Sequence, residues 1–309
     1  MSLQMRAILH KTSGENRGKY IDMNFRPIAI DDCELFDKYS SDDINYENNF
    51  AVLFAWNAIF PYEVCEFENA LIVKLTVDGN TIFDIPKTKD INLDKYVLFA
   101  ADYCRKKNTH LCFKILARDY ENLSPQIKSD FIYEPIPHQW DYIYKSSDLI
   151  TFQGRKFQKK RNLLSQFLRN YQYDFIDYDK QKHYDEILVF QNLWSKDDEE
   201  NYEFPAVKFA LDNLEKLNLN CDIIEIAGKI AAFSISNIHH NTGEVIFEKG
   251  DTNFKGIYAA IVNFTAKKRF AGCAFINREE DMGIENLRKA KLALNPIKQI
   301  EKYLIHFKD

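Results

Sequence analysis

The stretch from Glu244 to Leu294 reads EVIFEKGDTNFKGIYAAIVNFTAKKRFAGCAFINREEDMGIENLRKAKLAL. Glu244–Lys249 has strand composition, and a helix is expected from Gly256 to Arg269, where apolar residues return at helical spacing. Cys273–Ile276 is again strand-like, and a second helix follows from Gly283 to Leu294. Strand, helix, strand, helix in this order is the grammar of an α/β fold. Upstream, Asp222–Ala227 and Ile230–Ile235 flank a Gly228 turn and read as a hairpin. Two helices, Tyr184–Trp194 and Val207–Leu217, precede it, with Pro205 in the first turn of the second and Asp197–Glu200 as a solvated loop before it. The first half repeats the pattern. A helical run spans Phe50–Phe60, Tyr62–Glu66 and Ala70–Val77 pair as strands, and Asp78-Gly79-Asn80 turns the chain into Thr81–Ile85. A helix over Leu93–Lys107 and strands at Leu111–Leu116 and Phe131–Ile136 follow. The expectation is a mixed α/β fold in two similar units, 24–147 and 148–309, duplicated in element order.

The length of 309 residues is about twice an ordinary domain and fits two such units. A net charge of −5 argues against a protein that is basic all over, so nucleic acid would have to meet a local patch and DNA is not expected. Six scattered cysteines without a C-x-x-C read as reduced core thiols of a reducing compartment, with no metal site. His239-His240 reads as an exposed hairpin end rather than a metal ligand pair. No run reaches the ~18 apolar residues that span a bilayer, and Met1–Tyr20 has no apolar signal core, so a cytoplasmic location is expected.

Between Asp148 and Asp174 the chain holds six cations and no acid. Arg155, Lys156, Lys159, Lys160 and Arg161 crowd the start of an expected helix running to Tyr171, whose apolar stripe is Phe157, Leu164, Phe167, Leu168 and Tyr171. Cations there oppose the helix dipole, at about 0.3–1 kcal/mol each, and have no local carboxylates. Either their stems snorkel over a solvated face, or Arg155, Lys159, Lys160 and Arg161 receive the phosphates of a nucleotide, a tRNA or a lipid headgroup.

Acids at 279–281 suit the start of the last helix. Its apolar face begins at Ile284 and Leu287 and continues to Lys291, with Arg288 on the same side, so two cations are turned inward and require partners. Glu248, Glu279, Glu280, Asp281 or an anionic substrate are the candidates.

Together these pieces resemble a bacterial family, the C-terminal catalytic domain of phosphatidylglycerol lysyltransferase and its soluble relatives. The matching elements are Asn49-Phe50 with Trp56, the Gly154 to Asn162 run, and Phe247-Glu248-Lys249. The longest is Asn277-Arg278-Glu279-Glu280-Asp281-x-Gly283-x-x-x-Leu287-Arg288-Lys289-Ala290-Lys291, followed by Pro296. The resemblance covers the chain from about Phe25 onward. It implies two tandem GNAT (N-acetyltransferase-like) domains and the movement of an activated aminoacyl group, tRNA-borne, to an amine or hydroxyl. The stretch Glu248–Gly256 has glycines but lacks the Gln/Arg-x-x-Gly-x-Gly/Ala loop with which GNATs hold coenzyme A.

The resulting expectation is an aminoacyl- or acyltransferase needing no resident cofactor, with aminoacyl-tRNA as donor and a small-molecule, peptide or lipid-headgroup acceptor. Glu248 and Asp281 would orient the acceptor, Lys249, Arg288 and Lys291 would stabilise the oxyanion or bind donor phosphate, and the basic helix would take the donor. An acetyl-CoA-dependent N-acyltransferase and a non-catalytic binding module are the alternatives.

Overall fold

The computed structural model describes residues 24–41, 43–194 and 203–308; the expected Asp197–Glu200 loop lies outside them. Two mixed sheets carry the chain. The first begins with β1 (Arg26–Pro27), β2 (Glu63–Phe67), β3 (Ala70–Val77), β4 (Asn80–Phe83), β5 (Lys87–Thr88), β6 (His110–Leu116) and β7 (Phe131–Pro135). Its helices are α1 (Cys33–Tyr39), α2 (Phe50–Trp56), α3 (Asp94–Lys107) and α4 (Pro125–Asp130). The second sheet is built from β8 (Asp141–Lys145), β9 (Tyr173–Asp177), β10 (Asn220–Ile226), β11 (Lys229–His239), β12 (Thr242–Gly250), β13 (Phe275–Asn277) and β14 (Lys298–Ile300). Around it lie α5 (Ser146–Thr151), α6 (Gln158–Asn170), α7 (Lys180–Trp194), α8 (Glu203–Asp212), α9 (Ile257–Arg269) and α10 (Glu285–Leu292). The last strand, β15 (Lys302–Phe307), returns to the first sheet and pairs antiparallel with both β6 and β7.

The α/β reading stands, but a single cut at 147/148 does not separate the sheets. β8 precedes it and belongs to the second sheet, while β15 follows it and belongs to the first. By occupying the slot between β6 and β7, β15 pairs two edges that would otherwise expose a row of backbone groups.

One hydrophobic core is shared by the two sheets. Leu71 and Val73 of β3 turn into it, while Ala70 and Ile72 turn to the α3 side, as strand alternation requires. The helix α2, Phe50-Ala-Val-Leu-Phe-Ala-Trp56, is apolar all round because it is buried all round. Phe54 meets Phe209 of α8, and Trp56 meets Phe247 of β12, each with ring centroids 5.3 Å apart. Asn49 caps α2 through Ala51 N and exchanges two side-chain hydrogen bonds with Asn237 of β11, at 2.9 and 3.2 Å. Among the cysteines, Cys33 is exposed rather than in the core.

A fully buried ion cluster ties the sheets together. Lys302 Nζ, at the start of β15, donates to Glu47 Oε1 at 2.7 Å and to Asp141 Oδ1 of β8 at 2.6 Å. All three side chains have no solvent exposure. Removing one member strands the others without compensation, which costs about 3–5 kcal/mol. Lys302→Ala is therefore expected to lose that much stability in urea unfolding; a loss under about 1 kcal/mol would contradict the assignment.

Candidate active site

β12 and β13 run parallel and pair over three residues only, ending at Glu244 with Asn277. Beyond that point the strands part, and the opening is bridged by side chains. Arg278, the first residue past β13, donates from Nη2 to Glu248 Oε1 at 2.8 Å and from Nη1 to Glu248 Oε2 at 3.1 Å. Burial works to lower the Arg278 pKa, but the Glu248 carboxylate outweighs it and holds the guanidinium above its usual value. Its Nε is buried and has no hydrogen-bond partner among the described residues.

Lys160 of α6 reaches the same place. Burial, then the positive charge of Arg278 and of Lys159, pull its pKa down, and Glu248 offsets this in part. Among the described residues Lys160 has no ion pair within 4 Å. Arg155 and Lys159 are exposed beside it, also without ion pairs, whereas Lys156 pairs with Asp148 at 2.8 Å.

Lys291 is buried under the opening, where its Nζ donates to the carbonyls of Arg278 and Glu279. Burial and then Arg278 push it down to about 8. It fastens the end of β13, and Tyr144 in turn donates to Lys291 O at 2.9 Å.

A β-bulge decides which way the carboxylates point. Ile235 pairs with Phe247 and Ser236 with Val245, leaving Ile246 without an opposite partner. The bulge reverses the alternation, so Glu244 and Glu248, four residues apart, face opposite sides of the sheet. Val245 packs with α5 and α9 and Phe247 with α2, so Glu244 faces the first sheet and Glu248 faces α6 and α9.

Several expected site residues lie elsewhere. Lys249 is on the face opposite Glu248, paired with Glu203 of α8, because consecutive strand residues point to opposite sides. Asp281 accepts from Tyr142 Oη (2.7 Å), Gly283 N (2.8 Å) and Arg288 Nε and Nη2 (2.8 and 3.0 Å). Burial works to raise its pKa, but these donors hold its carboxyl below the usual range and leave it a clamp on the turn before α10. Arg288 is half-exposed rather than inward, and Ile284 is 49% exposed, so the supposed apolar face of α10 buries chiefly Lys291. Arg161 donates to the carbonyls of Phe152 and Gly154, closing the end of α5, and does not join Lys160. Leu168 is 45% exposed and leaves the expected stripe of α6. The structure adds Arg278, which stood in the quoted motif without a role, and Glu47, which no sequence signal singled out.

No helix of the described residues is long and apolar enough to cross a membrane. The profile of the family described as phosphatidylglycerol lysyltransferase, C-terminal, matches residues 40–306. The chain belongs to this family. A conserved protein of unknown function from Bacteroides thetaiotaomicron is 30% identical, with a TM-score of 0.84 over 93% of this chain and 100% of that one. L-PGS from Bacillus licheniformis shares the fold at 16% identity, TM-score 0.62, over 90% and 92%. So does a tandem GNAT protein from the clavulanic acid biosynthesis pathway, at 7% identity and TM-score 0.51, over 93% and 99%. An uncharacterized protein of Mycoplasmoides gallisepticum is 23% identical over 170 residues, which span 53% of this chain and about half (55%) of that protein.

Lys291 makes stability depend on pH. Its folded pKa of about 8 lies below the ordinary 10.5, so the folded state carries a charge penalty below pH 8 that disappears as pH rises to 10.5. Relative to Lys291→Met, the wild-type protein should gain about 3 kcal/mol across that window, at about 1.4 kcal/mol per pH unit. A difference that stays flat from pH 8 to 10.5 would refute the buried, depressed lysine.

Proposed function

We propose that this chain is an aminoacyltransferase whose donor is an aminoacyl-tRNA and whose reaction centre is the opening between β12 and β13. The observation that carries the reading is Lys160, half-buried and without an ion pair among the described residues, facing the Glu248–Arg278 bridge with Arg155 and Lys159 exposed at its rim. An entrance rich in unpaired cations suits a polyanionic donor, and family membership points the same way.

The chemistry follows from the groups present. An acceptor amine or hydroxyl, on a small molecule, a peptide or a lipid headgroup, attacks the ester carbonyl at the end of the tRNA. The carbonyl oxygen becomes an oxyanion, the ester C–O bond then breaks as the carbonyl re-forms, and the proton that the acceptor loses ends on the released tRNA hydroxyl. The free Nε of Arg278 and the Lys160 ammonium are the donors available to that oxyanion. Glu248, which orients Arg278 by two hydrogen bonds, is a positioning residue in this scheme.

The loop before α9 favours this donor over acetyl-CoA. A pyrophosphate cradle needs free backbone N–H groups. Here the N–H groups of Asp251, Asn253, Phe254, Lys255 and Ile257 donate to Ala231 O, Asp251 Oδ1, Asp251 O, Tyr171 Oη and Phe254 O. Gly256, at φ +93°, lies so close under α6 that a Cβ would come within 2.3 Å of Leu163 O. These five N–H groups are thereby taken within the protein, and α6 lies close over Gly256.

Binding of labelled aminoacyl-tRNA is expected to weaken steeply with salt and to ignore added acetyl-CoA. In Lys159→Glu plus Lys160→Glu the affinity should collapse, with a log K against log salt slope shallower by about 2. Salt-independent binding, or competition by acetyl-CoA, would overturn the reading.

A further inference from the structure

The opposite face of β12 and β13 looks into the space between the two sheets, and there the charges do not balance. Six carboxyl groups converge on it: Glu47, Asp84, Asp141, Glu244, Glu279 and Glu280. Glu244 comes from β12, Asp141 from β8, and Glu279 and Glu280 from the segment after β13; Glu47 lies before α2 and Asp84 just past β4. Four lysines face them. Lys302 is taken by Glu47 and Asp141, and Lys114 lies 3.6 Å from Asp84 and 3.9 Å from Glu47. Lys87 sits 3.8 Å from Asp84 and donates to Ile85 O at 2.8 Å, and Lys291 is engaged by two main-chain carbonyls.

Among the described residues, no side-chain cation lies within 4 Å of the carboxylate of Glu244, Glu279 or Glu280, although Lys291 reaches the main-chain carbonyl of Glu279 at 3.2 Å. Among the described residues, four carboxyl oxygens are buried with no hydrogen-bond partner: Glu47 Oε2, Glu244 Oε2, Glu279 Oε1 and Glu280 Oε2. Glu244 is 1% exposed and Glu47 fully buried, so water does not serve these groups from bulk. Such groups are expensive to bury unsatisfied and call for a cation or for protons. Glu279 and Glu280 are half-buried as residues, nearer to solvent than Glu244, although their partnerless oxygens are buried.

We propose that this inter-sheet cluster of carboxyls binds a primary ammonium group, with Glu244 and Glu279 as its counter-ions and Glu280 and Glu47 completing the shell. An ammonium offers three donors on a compact charge, which matches carboxyl oxygens arriving from several elements. Burial and the neighbouring acids (Asp141 and Glu279 for Glu244; Glu280 for Glu279) raise both carboxyls well above the usual range. This shift favours their protonated forms, and an arriving ammonium works against it. The other titratable groups facing them are Tyr46 and Tyr62, which burial raises well above their ordinary values and keeps neutral. Which molecule carries the ammonium rests on the aminoacyltransferase reading: it belongs either to the aminoacyl group of the donor or to an amine acceptor. The binding itself does not rest on it.

The test is calorimetry of the full chain at pH 7 without tRNA, using butylamine, lysinamide and, as the neutral counterpart, 1-butanol. The amines are expected to bind with proton release, read as a heat that changes between two buffers of different ionisation enthalpy, and butanol is expected not to bind. Glu244→Gln should weaken the amines at least tenfold. Should that variant fail to fold, Glu279→Gln provides the same reading. Equal heats from butylamine and butanol, or amine binding undiminished in the folded variants, would overturn the proposal. A non-hydrolysable 3′-aminoacylamino-3′-deoxyadenosine separates the sources. Displacement of butylamine by it assigns the cluster to the donor, and simultaneous binding assigns it to the acceptor. Loss of tRNA binding with amine binding intact would reject the transferase reading and leave this one standing.

Discussion

The architecture depends on the burial of Lys302. A lysine ammonium with no solvent exposure is tolerable only beside carboxylates, and its two partners come from positions 255 and 161 residues away in the chain. Burial works to lower the Lys302 pKa, but Asp141 and Glu47 overcome it and keep the group charged. Satisfying this one charge requires β15 to leave the second sheet, β8 to lie opposite it, and the segment before α2 to close over both. The shared apolar core supplies most of the burial free energy, while the ion cluster fixes the register in which the sheets meet.

With that register set, a single extra residue in β12 sorts the charges. Because Ile246 is bulged out, Glu248 joins Arg278 and Lys160 on the outer face, while Glu244 joins the acids between the sheets. A cation-rich mouth and an acid-rich interior thus flank the same opening of parallel strands. An amino acid esterified to tRNA has the phosphates of the nucleic acid on one side of the ester and its own amino group on the other, and it fits such a division in charge.

The order β12–α9–β13–α10 was legible because each element carries its own periodicity; Lys160 and Lys291 stood out as charges out of place on helices, and Glu248 as a candidate partner for inward cations. The bulge was not legible. It is a property of two paired strands, and without it Lys249 and Glu248 look equally close to the site. Arg161 misled because its partners are the carbonyls of Phe152 and Gly154, which any sequence supplies. Asp281 and Arg288 neutralise each other within a turn, a pairing that spacing alone makes no more probable than a ligand contact. β14 and β15 are short, and β15 pairs with strands that lie far back in the sequence, so the swap across 147/148 left no local trace.

The central claim is that the opening bridged by Glu248 and Arg278 transfers an aminoacyl group from tRNA. The most direct measurement is single-turnover discharge of labelled aminoacyl-tRNA by the purified protein against a panel of amines and hydroxyl compounds. The account predicts acceptor-dependent discharge to a stable amide or ester, at least a hundredfold slower in Arg278→Ala, in line with loss of an oxyanion donor. Discharge no faster than in buffer with every acceptor, or an undiminished rate in Arg278→Ala, would contradict it.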